Sequence, residues 1–229
     1  MFRFKQFEID DRNCGMKLGT DSVALGAWTE IPSDARTALD VGAGSGILSL
    51  MLAQRSARLA VTALEYDSGA GTDCRKNLEA SPWASRLNLV EGDFRMHCPE
   101  RPVDLIISNP PYFTGGPEAP LKERALARHE GGLNYFSLVE YSARWLSAEG
   151  TLSMILPAEK YDDALFRAEM ARLKLRRLAW LEPSAGKAPI RVMMQFYRTD
   201  GHCAVESVAI RDNAGITPLF SKLTADFYL

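Results

Sequence analysis

Cysteine is scarce in this chain: Cys14, Cys74, Cys98 and Cys203 are the only four, and none forms a C-x-x-C pair. Histidine is scarcer still, with His97, His129 and His202 equally scattered. A disulfide framework or a zinc site needs closer spacing, so neither is expected, no metal is assigned, and the thiols read as reduced, as in a cytoplasmic protein. No stretch approaches the 18 or so uncharged apolar residues of a membrane-spanning helix. The opening "MFRFKQFEIDDRN" is charged throughout and lacks the apolar stretch of a signal peptide. Neither sign of charge is in excess, since 27 Lys and Arg face 29 Asp and Glu for a formal net charge of −2. Any polyanionic partner must therefore be held by a local basic patch. Internal repeats and low-complexity linkers are missing as well.

What is present is an ordinary globular composition, 46% hydrophobic and 24% charged over 229 residues. A single α/β domain accommodates that length. Short apolar runs alternate with helix-length segments. "TALDVG" (37–42), "AVTALEY" (60–66), "RLNLVEG" (86–92), "VDLIIS" (103–108) and "GTLSMILP" (150–157) read as strands buried on both faces, as in a parallel sheet. "ILSLMLAQR" (47–55), apolar on nearly every side, "DSGAGTDCRKNLEAS" (67–81) and "DDALFRAEMARLKL" (162–175) read as helices. "RRLAWLEP" (176–183) and "RVMMQFYR" (191–198) complete the set as a hairpin-like antiparallel edge. The expectation is a doubly wound, Rossmann-like α/β domain whose mostly parallel seven-stranded sheet carries an antiparallel edge strand. It divides into an N-terminal extension (1–35), a core (36–200) and a C-terminal tail (201–229).

"LDVGAGSGIL" places Gly42, Gly44 and Gly46 between the first core strand and the first core helix. Glycines there permit a sharp turn and let a ligand approach the main chain. The dinucleotide fingerprint needs a further glycine where Ile47 stands. G-x-G-x-G favours a ligand without a pyrophosphate, namely S-adenosylmethionine. Glu65, at the end of the second core strand, can accept both ribose hydroxyls. Asp93, after the third, can accept from the adenine amino group. Asp40 joins this set by orienting the glycine loop. Each carboxylate alone could be a solvated strand end, but successive strand ends line one edge of such a sheet, where ligands bind.

The fourth core strand runs into "SNPPYF" (108–113). Asn-Pro is a frequent turn dipeptide, yet here it follows a buried strand beside the cofactor turn. A planar amino group conjugated into a ring or carbonyl is a poor nucleophile. Two acceptors, the Asn109 side-chain oxygen and the Pro110 carbonyl, can draw its N–H groups out of plane toward a methyl donor. Pro110 and Pro111 stiffen the segment, and Tyr112 offers a ring for stacking a flipped-out base. The same chemistry suits a glutamine side-chain amide.

These motifs resemble those of class I amino methyltransferases. "RFKQFEID", "KLGTDSVALGAW", "LMLAQR", "NLEASPW", "ISNPPYF", "ARHE", "KAPIRVMMQF" and "LTADFYL" together resemble the bacterial tRNA1(Val) adenine-37 N6-methyltransferase family over nearly the whole length. The resemblance implies S-adenosylmethionine-dependent N6-methylation of the adenosine 3′ of the anticodon. It also implies that Thr20 and Asp21 of "GTDS" lie near the methionine end of the cofactor, where either could equally be a helix N-cap. Gly69 and Gly71 depart from the plain helix expected there and would fray its start.

For tRNA, the loop 114–132 after the catalytic turn is the expected clamp. Phe113, Lys122, Arg124 and Arg128 are its expected contacts, while "RLKLRR" (172–177) reads as a solvated face. The chain is expected to act as a monomer, with a dimer as the alternative. The competing activities are N5-methylation of a protein glutamine and N-methylation of a purine in DNA or rRNA.

Overall fold

The computed structural model describes residues 1–111 and 133–229. A short antiparallel pair, β1 (Phe2–Arg3) and β2 (Glu8–Ile9), precedes helix α1 (Thr20–Trp28). The apolar runs then form β3 (Thr37–Val41), β4 (Ala60–Glu65), β5 (Leu87–Glu91), β6 (Val103–Ser108) and β7 (Leu146–Pro157). Between them lie α2 (Ile47–Arg55) and α3 (Ser68–Glu79), and the helix Tyr135–Trp145 leads into β7. After the helix Tyr161–Met170 come β8 (Lys174–Glu182), β9 (Arg191–Tyr197) and β10 (Ala204–Ala209).

The central sheet has eight strands, not seven, in the order β10-β8-β9-β7-β6-β3-β4-β5. Only β9 runs antiparallel, and it lies inside the sheet between β7 and β8 instead of at an edge. Both corrections have a physical reason. Val192 to Phe196 have no solvent exposure, and a strand buried that deeply needs a hydrogen-bonded neighbour on each side. The edge falls to β10 in the expected tail, which pairs in parallel with β8 from Ala204↔Arg177 to Ala209↔Glu182. Its sequence AVESVA is mostly exposed and shows no alternation, so pairing of its backbone makes it a strand.

Strand residues alternate between two cores, as the two-residue pleat requires. Leu105 and Ile107 face a cluster with Leu25, Met51 and Leu78 from α1, α2 and α3. Ile106 faces the other, with Leu138, Val139, Ala164 and Ala168 from the later helices. Helices thus cover both faces, and the fold is doubly wound. By the same alternation Asp40 points into the layer of α2 while Leu39 and Val41 face away.

The N-terminal arm is fastened to the first layer. Phe4, Phe7 and Ile9 are buried, each burial worth about 1.5–3 kcal/mol. Phe4 stacks on Phe7 at 4.7 Å and on Tyr228 at 5.9 Å, while Phe7 meets the edge of Trp83. The Lys5 amide donates to the Phe227 carbonyl at 2.9 Å, joining the arm to the C-terminal segment.

"RLKLRR" is not simply a solvated face. Arg177 donates to the Trp28 carbonyl at 2.9 Å and lies over the Trp28 ring, and Arg176 lies over Tyr197. Arg177 thereby braces the sheet against α1, and Arg176 braces β8 against β9.

Candidate active site

The carboxyl ends of β3, β4 and β6 open onto a cavity of about 580 Å³. Its floor is the glycine turn. Gly42, Gly44 and Gly46 have φ of 72°, 55° and 81°, the left-handed region that side chains with a Cβ enter at a cost of about 1–2 kcal/mol. A Cβ on Gly42 would stand 2.5 Å from Leu133 Cδ2, and one on Gly46 2.9 Å from Cys74 Sγ. At Gly44 nothing lies within 4 Å, so bare backbone faces the cavity there.

Glu65 closes the turn from the end of β4. Its Oε2 accepts the Gly44 N–H at 2.7 Å and its Oε1 accepts the Asp67 N–H at 2.8 Å. Asp40 is fully buried beneath the turn, and its Oδ2 accepts both the amide and the hydroxyl of Ser49 at 2.9 and 2.8 Å. Burial pushes its carboxyl up to about 7. It therefore braces the start of α2 and turns no oxygen into the cavity wall.

Asp93 sits between the lining residues Gly92 and Phe94. The Arg95 side chain grips both its oxygens, at 3.0 Å from Nε to each, and holds the carboxyl below its ordinary range. Asp21 accepts from Arg191 Nε at 2.7 Å, which pins the first turn of α1 to β9. The N-cap of α1 is Gly19, and no side chain caps it, so neither Thr20 nor Asp21 plays that part. Among the described residues, the lining does not include Thr20, Asp21, Asp40, Gly46 or Asp93, whereas Gly42, Gly44, Glu65 and Asn109 all belong to it.

Asn109 follows directly on β6. The Ser108 hydroxyl donates to the Val41 carbonyl at 2.6 Å, and Pro110 is buried, so the backbone entering the turn is held on both sides. Asn109 Nδ2 donates to Ser22 Oγ at 2.9 Å. Tyr112, Phe113, Lys122, Arg124 and Arg128 lie outside the described residues.

Sequence reasoning missed the strap that covers this cavity. Asn13, Cys14, Met16, Lys17 and Leu18 line it. The strap is tied down by two polar residues of α3 that are themselves buried, Asp73 and Asn77. Asp73 accepts the Asn13 amide at 2.6 Å and its side-chain Nδ2 at 2.8 Å. Asn77 Oδ1 accepts the Asp10 amide at 2.9 Å, and its Nδ2 donates to the carbonyls of Asp10 and Ser45 at 2.8 and 2.9 Å. The available signal was their spacing, because residues four apart share one helix face. Gly69 belongs to the same arrangement: its Cβ would stand 3.1 Å from the Asn13 carbonyl, and the helix begins cleanly behind the Asp67 N-cap instead of fraying. Cys14 is no nucleophile, for burial followed by Asp73 pushes its thiol up to about 12.

A glycine turn, a strand-end carboxylate and a side-chain amide around one cavity, on a mostly parallel sheet with one reversed strand, define a class I methyltransferase. Solved structures share this fold. A predicted O-methyltransferase from Agrobacterium tumefaciens aligns with a TM-score of 0.67 at 18% identity, over 90% of this chain and 96% of its own. A putative class I S-adenosylmethionine-dependent methyltransferase from Listeria monocytogenes aligns at 0.60 and 14% identity, over 94% and 70%. Residues 27–171 match the methyltransferase small domain family. A Tolumonas auensis protein named tRNA1(Val) (adenine(37)-N6)-methyltransferase is 40% identical, over 100% of this chain and 96% of its own. A protein of the same name from Shewanella sp. strain MR-4 is 42% identical, over 100% and 98%. The chain belongs to the tRNA1(Val) (adenine(37)-N6)-methyltransferase family.

Proposed function

We propose that this protein transfers a methyl group from S-adenosylmethionine to N6 of adenosine 37 in tRNA1(Val). The observation that carries the reading is that Asn109 and the bare Gly42–Gly44 backbone line the same cavity. Its volume of about 580 Å³ lies within the range of small-ligand sites. The residues fit the cofactor: a left-handed glycine turn with open space at Gly44, and a carboxylate at the end of the adjoining strand.

When bound, S-adenosylmethionine supplies a methyl group activated by a sulfonium. Gly42 and Gly44 keep the floor free of side chains, and Gly46 lets the turn close against Cys74 of α3. Glu65 would receive the ribose hydroxyls, and Asp93 would take the adenine amino group in place of its Arg95 partner. Thr20 and Asp21 set the methionine end through the position of α1, and Asp40 holds the turn from below. Asn109 Oδ1 and the Pro110 carbonyl accept the two N–H bonds of the target base, which enters flipped out and stacks on Tyr112. Held by those two bonds, the nitrogen would present its lone pair to a methyl donor seated in the cavity, and positioning would supply most of the acceleration. The extra proton on N6 is acidic after transfer and leaves to solvent, so no general base is needed.

Phe113, Lys122, Arg124 and Arg128 serve the RNA backbone and the stacked base in this reading. The protein works in the cytoplasm as a monomeric single domain; among the described residues, no helix is long and apolar enough to cross a membrane. The relatives' shared name favours tRNA over a protein glutamine or a DNA purine.

The test is incubation with total tRNA and labelled cofactor, followed by mass spectrometry of the nucleosides and of ribonuclease fragments that carry the anticodon loop. N6-methyladenosine at position 37 of tRNA1(Val) is expected, and label in a release factor but not in tRNA would overturn the reading. Asn109→Ala is expected to abolish transfer while binding the cofactor nearly as the wild type does. Parallel loss of both would remove Asn109 from the chemistry.

A further inference from the structure

Ser22 stands in the first turn of α1, 87 residues before Asn109, yet its Oγ is the acceptor for Asn109 Nδ2 at 2.9 Å. The side chain of Asn109 hangs from a stiff turn but can still rotate about its own bonds. A hydrogen bond from a fixed neighbour restricts that rotation and sets where the carboxamide stands.

The hydroxyl that makes this bond is itself well anchored. Val23, Ala24, Leu25 and Trp28 bury the body of α1 in the core. The Asp21–Arg191 ion pair, at 2.7 Å, fastens the adjacent residue to β9. Just upstream, the Leu18 amide donates to Asp11 Oδ2 at 2.9 Å, so the strap enters the helix in a fixed direction. Ser22 also lines the cavity beside Asn109 and Pro111. The turn that holds the base thus takes its orientation from an element outside that turn.

We propose that Ser22 is a positioning residue: by bonding Asn109 Nδ2 it holds the carboxamide in the place from which it meets the amino group of the target base. This rests on the methyl-transfer reading above, because only there does the orientation of the amide matter. Ser22 does not touch the reacting atoms. Its hydrogen bond acts through Asn109.

The test compares Ser22→Ala, Ser22→Thr and Ser22→Val, the last two nearly equal in shape and differing in the hydroxyl. The wild type is assayed first for N6-methyladenosine formation in tRNA. Ser22→Ala and Ser22→Val are expected to lower kcat about two- to tenfold, the worth of one hydrogen bond. The KM for tRNA and the affinity for S-adenosylhomocysteine, read by calorimetry, are expected to stay at wild-type values. Ser22→Thr is expected to restore kcat. Wild-type kcat in Ser22→Val, failure of Ser22→Thr to rescue, or equal losses in kcat and cofactor affinity would each overturn the proposal while the methyl-transfer reading stood. An inactive wild type would take both down together.

Discussion

Asn77→Ala tests the link between the strap and the cofactor cavity. The side chain is buried and makes three hydrogen bonds, two to Asp10 of the arm and one to the Ser45 carbonyl in the glycine turn. Truncation leaves an amide and two carbonyls to find water in a nearly closed space, because Asp10 itself is only 8% exposed. At about 0.5–1.5 kcal/mol per bond, the two bonds to Asp10 that hold the strap shut are worth about 1–3 kcal/mol. Asn13 remains bonded to Asp73, so part of the closure survives. The low end of that range then governs, and affinity for S-adenosylhomocysteine is expected to fall about fivefold. Titration calorimetry reads the affinity, and limited proteolysis at Arg12 and Lys17 reads the opening. A variant that lost thermal stability but bound the ligand with wild-type affinity would show that Asn77 supports the fold without coupling strap to cavity.

Three other perturbations follow from the same geometry. Removing Phe227 to Leu229 takes away a fully buried ring and the carbonyl that receives the Lys5 amide, and is expected to weaken cofactor binding as Asn77→Ala does; unchanged binding would detach the C-terminal segment from the strap. Gly46→Ala places a Cβ 2.9 Å from Cys74 Sγ at a φ of 81°, and its cost of about 1–2 kcal/mol is expected to lower the melting temperature by about 2–8 °C; an unmoved Tm would refute it. Asp40 has its carboxyl raised by burial from an ordinary 3.8 to about 7. Across that window the folded protein holds a proton that the unfolded chain releases, so stability falls as pH rises, by at most about 1.4 kcal/mol per pH unit. Asp40→Asn removes the titration and is expected to flatten the dependence of the urea midpoint between pH 5 and pH 8. Parallel curves for the two proteins would refute the assignment.

The parts of this molecule that were legible beforehand are those written locally. Strands β3, β4, β6 and β7 announce themselves as apolar runs, and the glycine turn and Asn-Pro-Pro follow β3 and β6 directly in the chain. Places settled by pairing over distance were not legible. The position of β9 depends on which neighbour satisfies its backbone, and β10 has no side-chain pattern of its own. Nothing in the sequence set Asp73 and Asn77 apart from the other polar residues of their helix, because their partners, Asn13 and Asp10, lie 60 or more residues away. Ser22 sat within a motif already singled out, but only folding brings it to Asn109. The carboxylates behaved differently from one another for a similar reason: Asp40, Glu65 and Asp93 all end or border strands, and their surroundings decide which faces the cavity.

Because β9 runs against its neighbours, it delivers its first residue, Arg191, to the rim where the parallel strands deliver their last. The connection from β8, residues 183–190, is accordingly a short hairpin on that same rim of the sheet, with no helix crossing behind it. Lengthening or shortening that hairpin alters what stands on the rim while leaving the hydrogen-bonded ladder beneath it intact. It is the natural place to graft residues when a homologue or an engineer needs to admit a bulkier target.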